Sequence, residues 1–329
     1  MMPIPRRRLG SSGPEVAALA LGCMGMSGVY GPSDERESLA TIHAAIDHGV
    51  DLIDTGDFYG MGHNEMLLGR ALEGRRDRVL LSVKFGAMRA PGGGFIGVDG
   101  RPQAVRNFAA YSLQRLRTDR IDIYRLSRLD PQVPIEETVG AIADLVASGH
   151  VRYVGLSEVG AATIRRAHAA HPIADLQIEY SLISRGIERE ILPTVRELGI
   201  GVTAYGVLSR GLLADSRPAG GSDFRAHLPR FAGANYETNR ALVAALAEFA
   251  AERGVSPAQV AIAWVLSRGA DVVPVIGART RAQLGEALGA LDVTLAAEAL
   301  ARLDSLVHPA LIAGSRYDEG QMQILDSER

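Results

Sequence analysis

The chain has 329 residues, of which 47% are hydrophobic and 22% charged, which suits one large domain or two ordinary ones with a sizeable core. The formal net charge of -3 gives no electrostatic basis for binding nucleic acid or an anionic membrane. The single cysteine, Cys23, excludes an internal disulfide and a thiolate zinc cage, and no apolar run is long enough to span a bilayer, so we expect a soluble cytoplasmic protein.

Short apolar runs alternate with helical patterns along most of the chain. An N-terminal hairpin is predicted from "PRRRLG", a turn at 11–13 and "EVAALALG". Eight strands are predicted, at 16–22, 50–54, 78–84, 121–127, 151–157, 174–180, 200–205 and 270–277. Nine helices are predicted, at 35–48, 64–72, 103–116, 135–147, 161–169, 187–198, 239–253, 257–267 and 281–290.

Strands that alternate with helices through short connections form parallel sheets with crossover helices. Eight such units match the (β/α)8 TIM barrel, an α/β fold of typically about 250 residues. The surplus length is explained by the hairpin, a long loop at 206–238, and an extra C-terminal helix and tail. No linker composition divides the chain, so one domain is expected over 1–329. A doubly wound sheet is less favoured, because "GCMGMSG" lacks the spacing of a dinucleotide-binding loop.

Polar side chains occur where several predicted strands end. Asp54, Lys84, Ser127, Ser157 and Tyr205 lie at or just past such ends, and Tyr59 follows in the loop after the second strand. Barrel active sites form at the carboxyl ends of the strands. These residues are therefore expected to converge at one mouth.

Lys84 is the only lysine among the 35 lysine and arginine residues, which suggests a position that arginine could not fill. A lysine beside Tyr59 would lower the pKa of the phenol, and Asp54 would hold the lysine charged. The three residues are interpreted as a proton-donating relay for a carbonyl oxygen that gains negative charge. A buried ion pair beside a packing tyrosine is the structural alternative.

Motifs spread over essentially the whole chain resemble the aldo-keto reductase superfamily. The matching stretches are "LALGCMGMSGVYG", "DLIDTGDFYGMGHNEMLLGRAL", "LSVKFG", "VPIEETVGAIADLVASGHVRYVGLSE", "LQIEYSL", "AYGVLSRGLL", "SPAQVAIAWVLSRG" and "VIGARTRAQLGEALGA". The resemblance implies an NADPH-dependent carbonyl reductase with a catalytic tetrad of Asp, Tyr, Lys and His. Asp54, Tyr59 and Lys84 match the first three, whereas Ser127 stands where the family commonly has the histidine.

The resemblance also implies a binding site for NADPH/NADP+. The implied contacts are Gly22, Cys23 and Met24 at the ribose; Ser157, Glu158, Gln177 and Tyr205 at the nicotinamide; Gly206, Leu208, Ser209, Arg210 and Gly211 at the pyrophosphate; and Ile276, Gly277, Ala278, Arg279 and Gln283 at the adenosine. Arg279 is the implied partner of the 2′-phosphate. Gln283 and Ala287 replace an arginine and an asparagine frequent in relatives, and Glu158 replaces an asparagine.

A small carbonyl compound is the expected substrate. Its pocket wall is expected from Tyr30, Phe85, the rest of the loop at 85–100, the loop at 210–236 and the tail around Tyr317. The glycine-rich stretch at 91–100 is interpreted as a mobile loop over the substrate.

Two other functions are the alternatives to a carbonyl reductase. Ser127 favours a cofactor-binding, low-turnover sensor or regulatory subunit of the same fold as the alternative. A metal-dependent hydrolase barrel is disfavoured, since His63 has no second histidine at metal-ligand spacing, so no metal is expected. The barrel could act as a monomer, and homo-oligomerisation is left open.

Overall fold

Eight parallel strands close into a barrel in the computed structural model, which describes residues 4–218, 220 and 223–329. They follow one another around the barrel in chain order, and the last pairs with the first. The barrel strands are β3 (Ala20–Gly22), β4 (Leu52–Gly56), β5 (Leu80–Phe85), β8 (Ile121–Leu126), β9 (Val151–Ser157), β10 (Ile173–Glu179), β11 (Gly201–Tyr205) and β12 (Val272–Gly277). The predicted (β/α)8 barrel is confirmed.

Helices follow the strands and cover the barrel. They are α1 (Glu35–Asp47), α2 (His63–Ala71), α3 (Pro102–Leu116), α4 (Ile135–Ala147), α5 (Ala161–Ala170), α6 (Ile191–Glu197), α7 (Gly233–Ala251), α8 (Pro257–Leu266), α9 (Arg281–Gly289), α10 (Ala297–Leu306) and α11 (Glu319–Gln323). The predicted start of α8 is confirmed, because Ser256 and Gln259 form a capping box there. Among the described residues, no helix has the length and apolarity needed to cross a membrane.

The N-terminal hairpin closes the bottom of the barrel. It pairs β1 (Arg6–Arg8) with β2 (Glu15–Ala17), and Leu9 packs with Leu52 and Val273 in a small core. The prediction of one strand over 16–22 was wrong, because the chain leaves the hairpin after β2 and enters the barrel only at β3. Residues 16–21 are all buried, both before and after the point where the chain leaves the hairpin. The apolar pattern of the sequence is therefore continuous and does not indicate that β2 and β3 are separate strands.

The glycine-rich stretch after β5 is partly a second antiparallel hairpin, of β6 (Ala87–Arg89) and β7 (Phe95–Val98). Its turn contains Gly93 with a φ of 84°, which a side chain would disfavour. The sequence predicted a loop here, and hydrogen bonds between the two short strands give it a defined shape at the mouth of the barrel.

Two boundaries on the second half of the barrel differ from the predictions. Helix α7 begins at Gly233 rather than 239, which shortens the loop predicted at 206–238. Helix α6 begins at Ile191 rather than 187, after a single 3-10 turn at Gly186–Glu188. Pro193 then lies in the first turn of α6, where its missing N–H is not needed.

The C-terminal tail returns to the mouth of the barrel after α10. Asp326 accepts a hydrogen bond from the backbone N–H of Gly160 at 2.8 Å. Arg316 pairs with Glu158 at 2.6 Å just beyond β9. The predicted extra C-terminal helix and tail therefore contribute directly to the region where the strands end.

Candidate active site

Asp54 and Lys84 form a buried ion pair inside the barrel mouth. Lys84 Nζ lies 2.6 Å from Asp54 Oδ1, and the two side chains are each 6% exposed. Ser82 and Gln177 both donate to Asp54 Oδ2 at 2.8 Å. Pairing of β4 with β5 places Asp54 opposite Ser82, which explains why these side chains meet. Burial lowers the pKa of Lys84, and the Asp54 carboxylate opposes that change.

Tyr59 lies beside this pair, in a tight turn directly after β4. The Lys84 ammonium is 5.3 Å from the centroid of the Tyr59 ring, and Tyr59 is 8% exposed. The turn is built by Gly60 and Gly62, both with positive φ. Burial raises the pKa of Tyr59 well above its ordinary value, and the Asp54 carboxylate adds to the rise. Burial outweighs the nearby Lys84 ammonium, so the net direction of the Tyr59 pKa is opposite to the lowering expected from the sequence.

A pocket of about 740 Å³ opens at the carboxyl ends of the strands and holds both groups. That volume is typical of a cofactor or small-molecule site. The pocket continues from Tyr59 and Lys84 to residues after β11 and β12. Of the residues predicted for the cofactor, those lining it are Gly22, Met24, Ser157, Gln177, Tyr205, Gly206, Leu208, Arg210, Gly211, Ile276, Gly277, Arg279 and Gln283.

Two serine hydroxyls in this pocket are buried without a partner. Ser127 is 1% exposed and Ser157 is 2% exposed, and neither Oγ has a hydrogen-bond partner among the described residues. Buried hydroxyls usually have a hydrogen-bond partner. A buried hydroxyl that faces a pocket and has no partner within the protein therefore fits a ligand that supplies the hydrogen bond. The donor set at Ser157 and Gln177 thus fits the carboxamide of a nicotinamide.

Arginines at the far end of the pocket fit a phosphorylated ligand. The Arg279 guanidinium donates to the backbone oxygens of Tyr30 and Pro32, and its other N–H groups remain available. Arg210 has a positive φ of 57° and is held by Glu179 at 2.9 Å. A permanently charged planar donor suits phosphate recognition.

Five predicted site residues do not line the pocket: Cys23, Phe85, Glu158, Ser209 and Ala278. Phe85 is fully buried and stacks on Tyr124 with ring centroids 4.2 Å apart, so it packs the core instead of facing a substrate. The predicted wall at Tyr30 and Tyr317 does line the pocket, as do Arg89 and Phe95 of the second hairpin.

Glu158 belongs to an ionic network that fixes the tail. Its carboxylate accepts from Arg316, from Ser327 at 2.6 Å and from the Tyr205 hydroxyl at 2.7 Å. Burial opposes ionisation of Glu158, but the Arg316 guanidinium outweighs it and holds the pKa well below the usual range. Glu158 therefore acts through Tyr205 and the tail rather than on a ligand.

Sequence reasoning missed Arg125 and Asp175, which lie below the Asp54–Lys84 pair. Arg125 donates to both oxygens of Asp175 at 2.9 and 3.0 Å, and its Nη1 is 3.8 Å from Asp54. Both side chains are fully buried inside the barrel. The available signal was a charged residue two positions before a predicted site residue on the same strand, since Arg125 precedes Ser127 and Asp175 precedes Gln177 in this way.

The chain matches the family model "Aldo/keto reductase family" over residues 18–308. It is 41% identical over 320 residues to probable aldo-keto reductase 1 of Glycine max, covering 95% of this chain and 92% of that protein. A closed parallel barrel with a pocket at the carboxyl ends of its strands hosts many enzyme classes, so the assignment rests on these two matches. The chain belongs to the aldo/keto reductase family.

Solved structures of similar fold agree with this assignment. The glycerol dehydrogenase of Gluconobacter oxydans is 29% identical with a TM-score of 0.83, covering 92% of this chain and 96% of that one. An aldo/keto reductase of Klebsiella pneumoniae, solved with NADP and acetate, is 28% identical with a TM-score of 0.74, covering 96% and 99%.

Proposed function

We propose that the protein is an NADPH-dependent reductase of aldehydes or ketones. The observation that carries the proposal is the buried Asp54–Lys84 pair beside Tyr59, in a pocket that also reaches Arg279. Membership of the aldo/keto reductase family and the NADP bound by the Klebsiella relative support the choice of cofactor.

The cofactor, when bound, supplies a hydride to the carbonyl carbon. Tyr59 donates its phenolic proton to the carbonyl oxygen as that oxygen gains negative charge. The raised pKa keeps the phenol protonated at neutral pH, so the proton leaves only for a strongly basic, alkoxide-like oxygen. Lys84 then stabilises the phenolate, and Asp54 holds Lys84 charged and in place.

The direct test is oxidation of NADPH by the purified protein with a reactive aldehyde such as 4-nitrobenzaldehyde. Binding of NADPH is followed separately by quenching of protein fluorescence, without added metal. Quenching without turnover would instead support a low-turnover sensor or regulatory subunit, which the serine at 127 favours.

The described residues contain no group of three or more His, Cys, Asp or Glu side chains able to hold a metal.

Arg279→Ala is expected to weaken NADPH binding by roughly 1.5–3 kcal/mol, the contribution of a charged hydrogen bond, and to leave NADH binding almost unchanged. The reason is that only NADPH carries the 2′-phosphate. Dissociation constants for both cofactors by fluorescence titration check this. Arg281→Ala is the matched control, because Arg281 lies two residues further along, at the start of α9, but pairs with Glu37 at 3.0 Å. Equal losses for both cofactors would assign Arg279 another role.

Ser127→Ala is expected to be mild, costing at most about one neutral hydrogen bond, roughly 0.5–1.5 kcal/mol in transition-state stabilisation. Ser127→His should raise kcat/KM for small aldehydes and lower it for bulky ketones, because the imidazole both donates and fills space. Steady-state kinetics with one small and one bulky carbonyl compare the variants. A loss from Ser127→Ala as large as that from Tyr59→Phe would make Ser127 a catalytic residue in its own right.

A further inference from the structure

Arg128 brings a positive charge into the pocket beside the catalytic group. It follows Ser127 directly after β8, donates through Nη1 to the backbone oxygen of Ser127 at 2.7 Å, and through Nη2 to the Tyr317 hydroxyl at 3.3 Å. Both acceptors are neutral, and Arg128 forms no ion pair with any carboxylate of the described residues. It lines the same pocket as Tyr59 and Lys84, at the carboxyl end of β8.

The neighbouring arginines differ from Arg128 in this respect. Arg210 pairs with Glu179 at 2.9 Å, and Arg225 pairs with Asp223 at 2.7 Å. The Glu158 carboxylate is not within ion-pair distance of Arg128, and its hydrogen bonds go to Arg316, Ser327 and Tyr205. A partly buried charge that faces a pocket is normally matched by an opposite one, so the lack of an ion pair to Arg128 among the described residues points to a ligand.

The other charged side chains at the substrate end of the pocket also give it a net positive charge. Arg89 of β6 lies 5.8 Å from the centroid of the Phe58 ring, and it donates a hydrogen bond to the backbone oxygen of Gly93 but pairs with no carboxylate of the described residues. The acids that line the pocket are Asp54, which Lys84 neutralises, and Glu286 on α9. The substrate end of the pocket therefore carries excess positive charge, which attracts anions.

Arginine and serine together match a carboxylate. A guanidinium binds a carboxylate through paired N–H groups, and Arg128 still has N–H groups that are not used within the chain. The unpartnered Ser127 Oγ directly precedes it in sequence and lines the same pocket. We propose that Arg128 and Ser127 form an anion subsite that selects carbonyl substrates carrying a carboxylate. This inference rests on the proposed function, since it names the substrate class of the same site.

The first test compares two aldehydes of similar shape and reactivity, 4-carboxybenzaldehyde and methyl 4-formylbenzoate. The wild-type protein with NADPH is expected to prefer the carboxylate by kcat/KM. Arg128→Gln should reduce that preference by about 10–100-fold, as expected for one charged hydrogen bond, chiefly through KM of the carboxylate. Arg128→Lys should restore part of it, because the charge returns without the paired geometry. Arg106→Gln, an exposed arginine of α3 that pairs with Asp144, is the control and should leave the preference unchanged.

A second test reads the subsite without turnover. Benzoate and benzamide are titrated calorimetrically into protein saturated with NADP+, which keeps benzoate from the phosphate-binding arginines. Benzoate should bind more tightly than benzamide, and Arg128→Gln should remove the difference in affinity.

The proposal is overturned if the wild type binds or reduces the charged and neutral compounds equally. It is also overturned if Arg128→Gln lowers both equally, which would make Arg128 a structural support for Tyr317. Failure to oxidise NADPH with any aldehyde would count against the proposed function alone, since the calorimetric result would still decide the subsite.

Discussion

Tyr59→Phe is expected to lower turnover of any aldehyde substrate by about 10²–10⁴-fold, the contribution of a lost general acid. The change removes one oxygen from a side chain that is 8% exposed, and it leaves the ring and its packing on Phe58 in place. The Asp54–Lys84 pair should also remain, because its hydrogen bonds go to Ser82 and Gln177 rather than to Tyr59. The dissociation constant of NADPH should therefore change little.

The measurement is kcat with saturating NADPH, together with NADPH affinity from fluorescence quenching. Tyr111→Phe is the matched control, since Tyr111 is 56% exposed on α3 and is not among the residues that line the pocket. Near-normal turnover in Tyr59→Phe would exclude Tyr59 as the acid and leave the relay without its donor. A parallel loss of NADPH affinity would indicate that the phenol supports the cofactor site rather than the proton transfer.

Arg316→Met is expected to reduce the free energy of unfolding by about 3–5 kcal/mol, because it leaves a buried carboxylate without its main counter-charge. Arg316 donates to Glu158 from two nitrogens, at 2.6 and 2.9 Å, and its side chain is only 7% exposed. Glu158 keeps Ser327 and Tyr205 as partners, but neither carries a compensating positive charge. The tail should therefore detach or the whole barrel should lose stability.

Urea unfolding measures the loss, and Arg302→Met is the control. Arg302 pairs with Glu252 on the surface, with side chains 47% and 46% exposed, and such pairs contribute about 0–1 kcal/mol. In a Glu158→Gln background, Arg316→Met should reduce the free energy of unfolding by less, because no buried negative charge is then left without a partner. A loss from Arg316→Met no greater than that from Arg302→Met would show that the network does not hold the tail.

The same pair predicts how stability depends on pH. Because Arg316 holds the pKa of Glu158 below its unfolded value, the stabilisation is fully present above the unfolded pKa. It is lost as the pH falls through the usual glutamate range toward the lowered folded value. Arg316→Met should therefore narrow the difference in unfolding free energy between neutral and acidic solution.

The barrel could be predicted from sequence because it follows from local periodicity. Each strand of the barrel is a short apolar run bounded by a turn or a cap, and parallel strands with short crossover helices leave few topologies. Asp54, Lys84 and Tyr59 could be assigned for the same reason, since each stands at or near the carboxyl end of its strand. Pairing of β4 with β5 then brings the Asp54 and Lys84 side chains close enough for contact at 2.6 Å.

Contacts between distant parts of the chain could not be predicted in this way. Glu158 and Arg316 are separated by 158 positions, and nothing in either local sequence indicates the other. Glu158 was consequently assigned to the cofactor, whereas it anchors the tail. Phe85 was assigned to the substrate as the first residue of the loop at 85–100, yet it ends strand β5. Side chains alternate along a strand, and Phe85 points outward to Tyr124.

The amino-acid sequence by itself determined the barrel, the family resemblance, and the acid, lysine and tyrosine at the mouth, because those depend on residue type and spacing along one strand or loop. Tertiary structure alone decided the ionic network of the tail, the hairpin of β6 and β7, and the unpaired charge of Arg128. It also decided the direction of the Tyr59 pKa, which burial raises although a lysine lies nearby. The physical reason is that burial and charge pairing are sums over all neighbours in space, and most of those neighbours are distant in sequence.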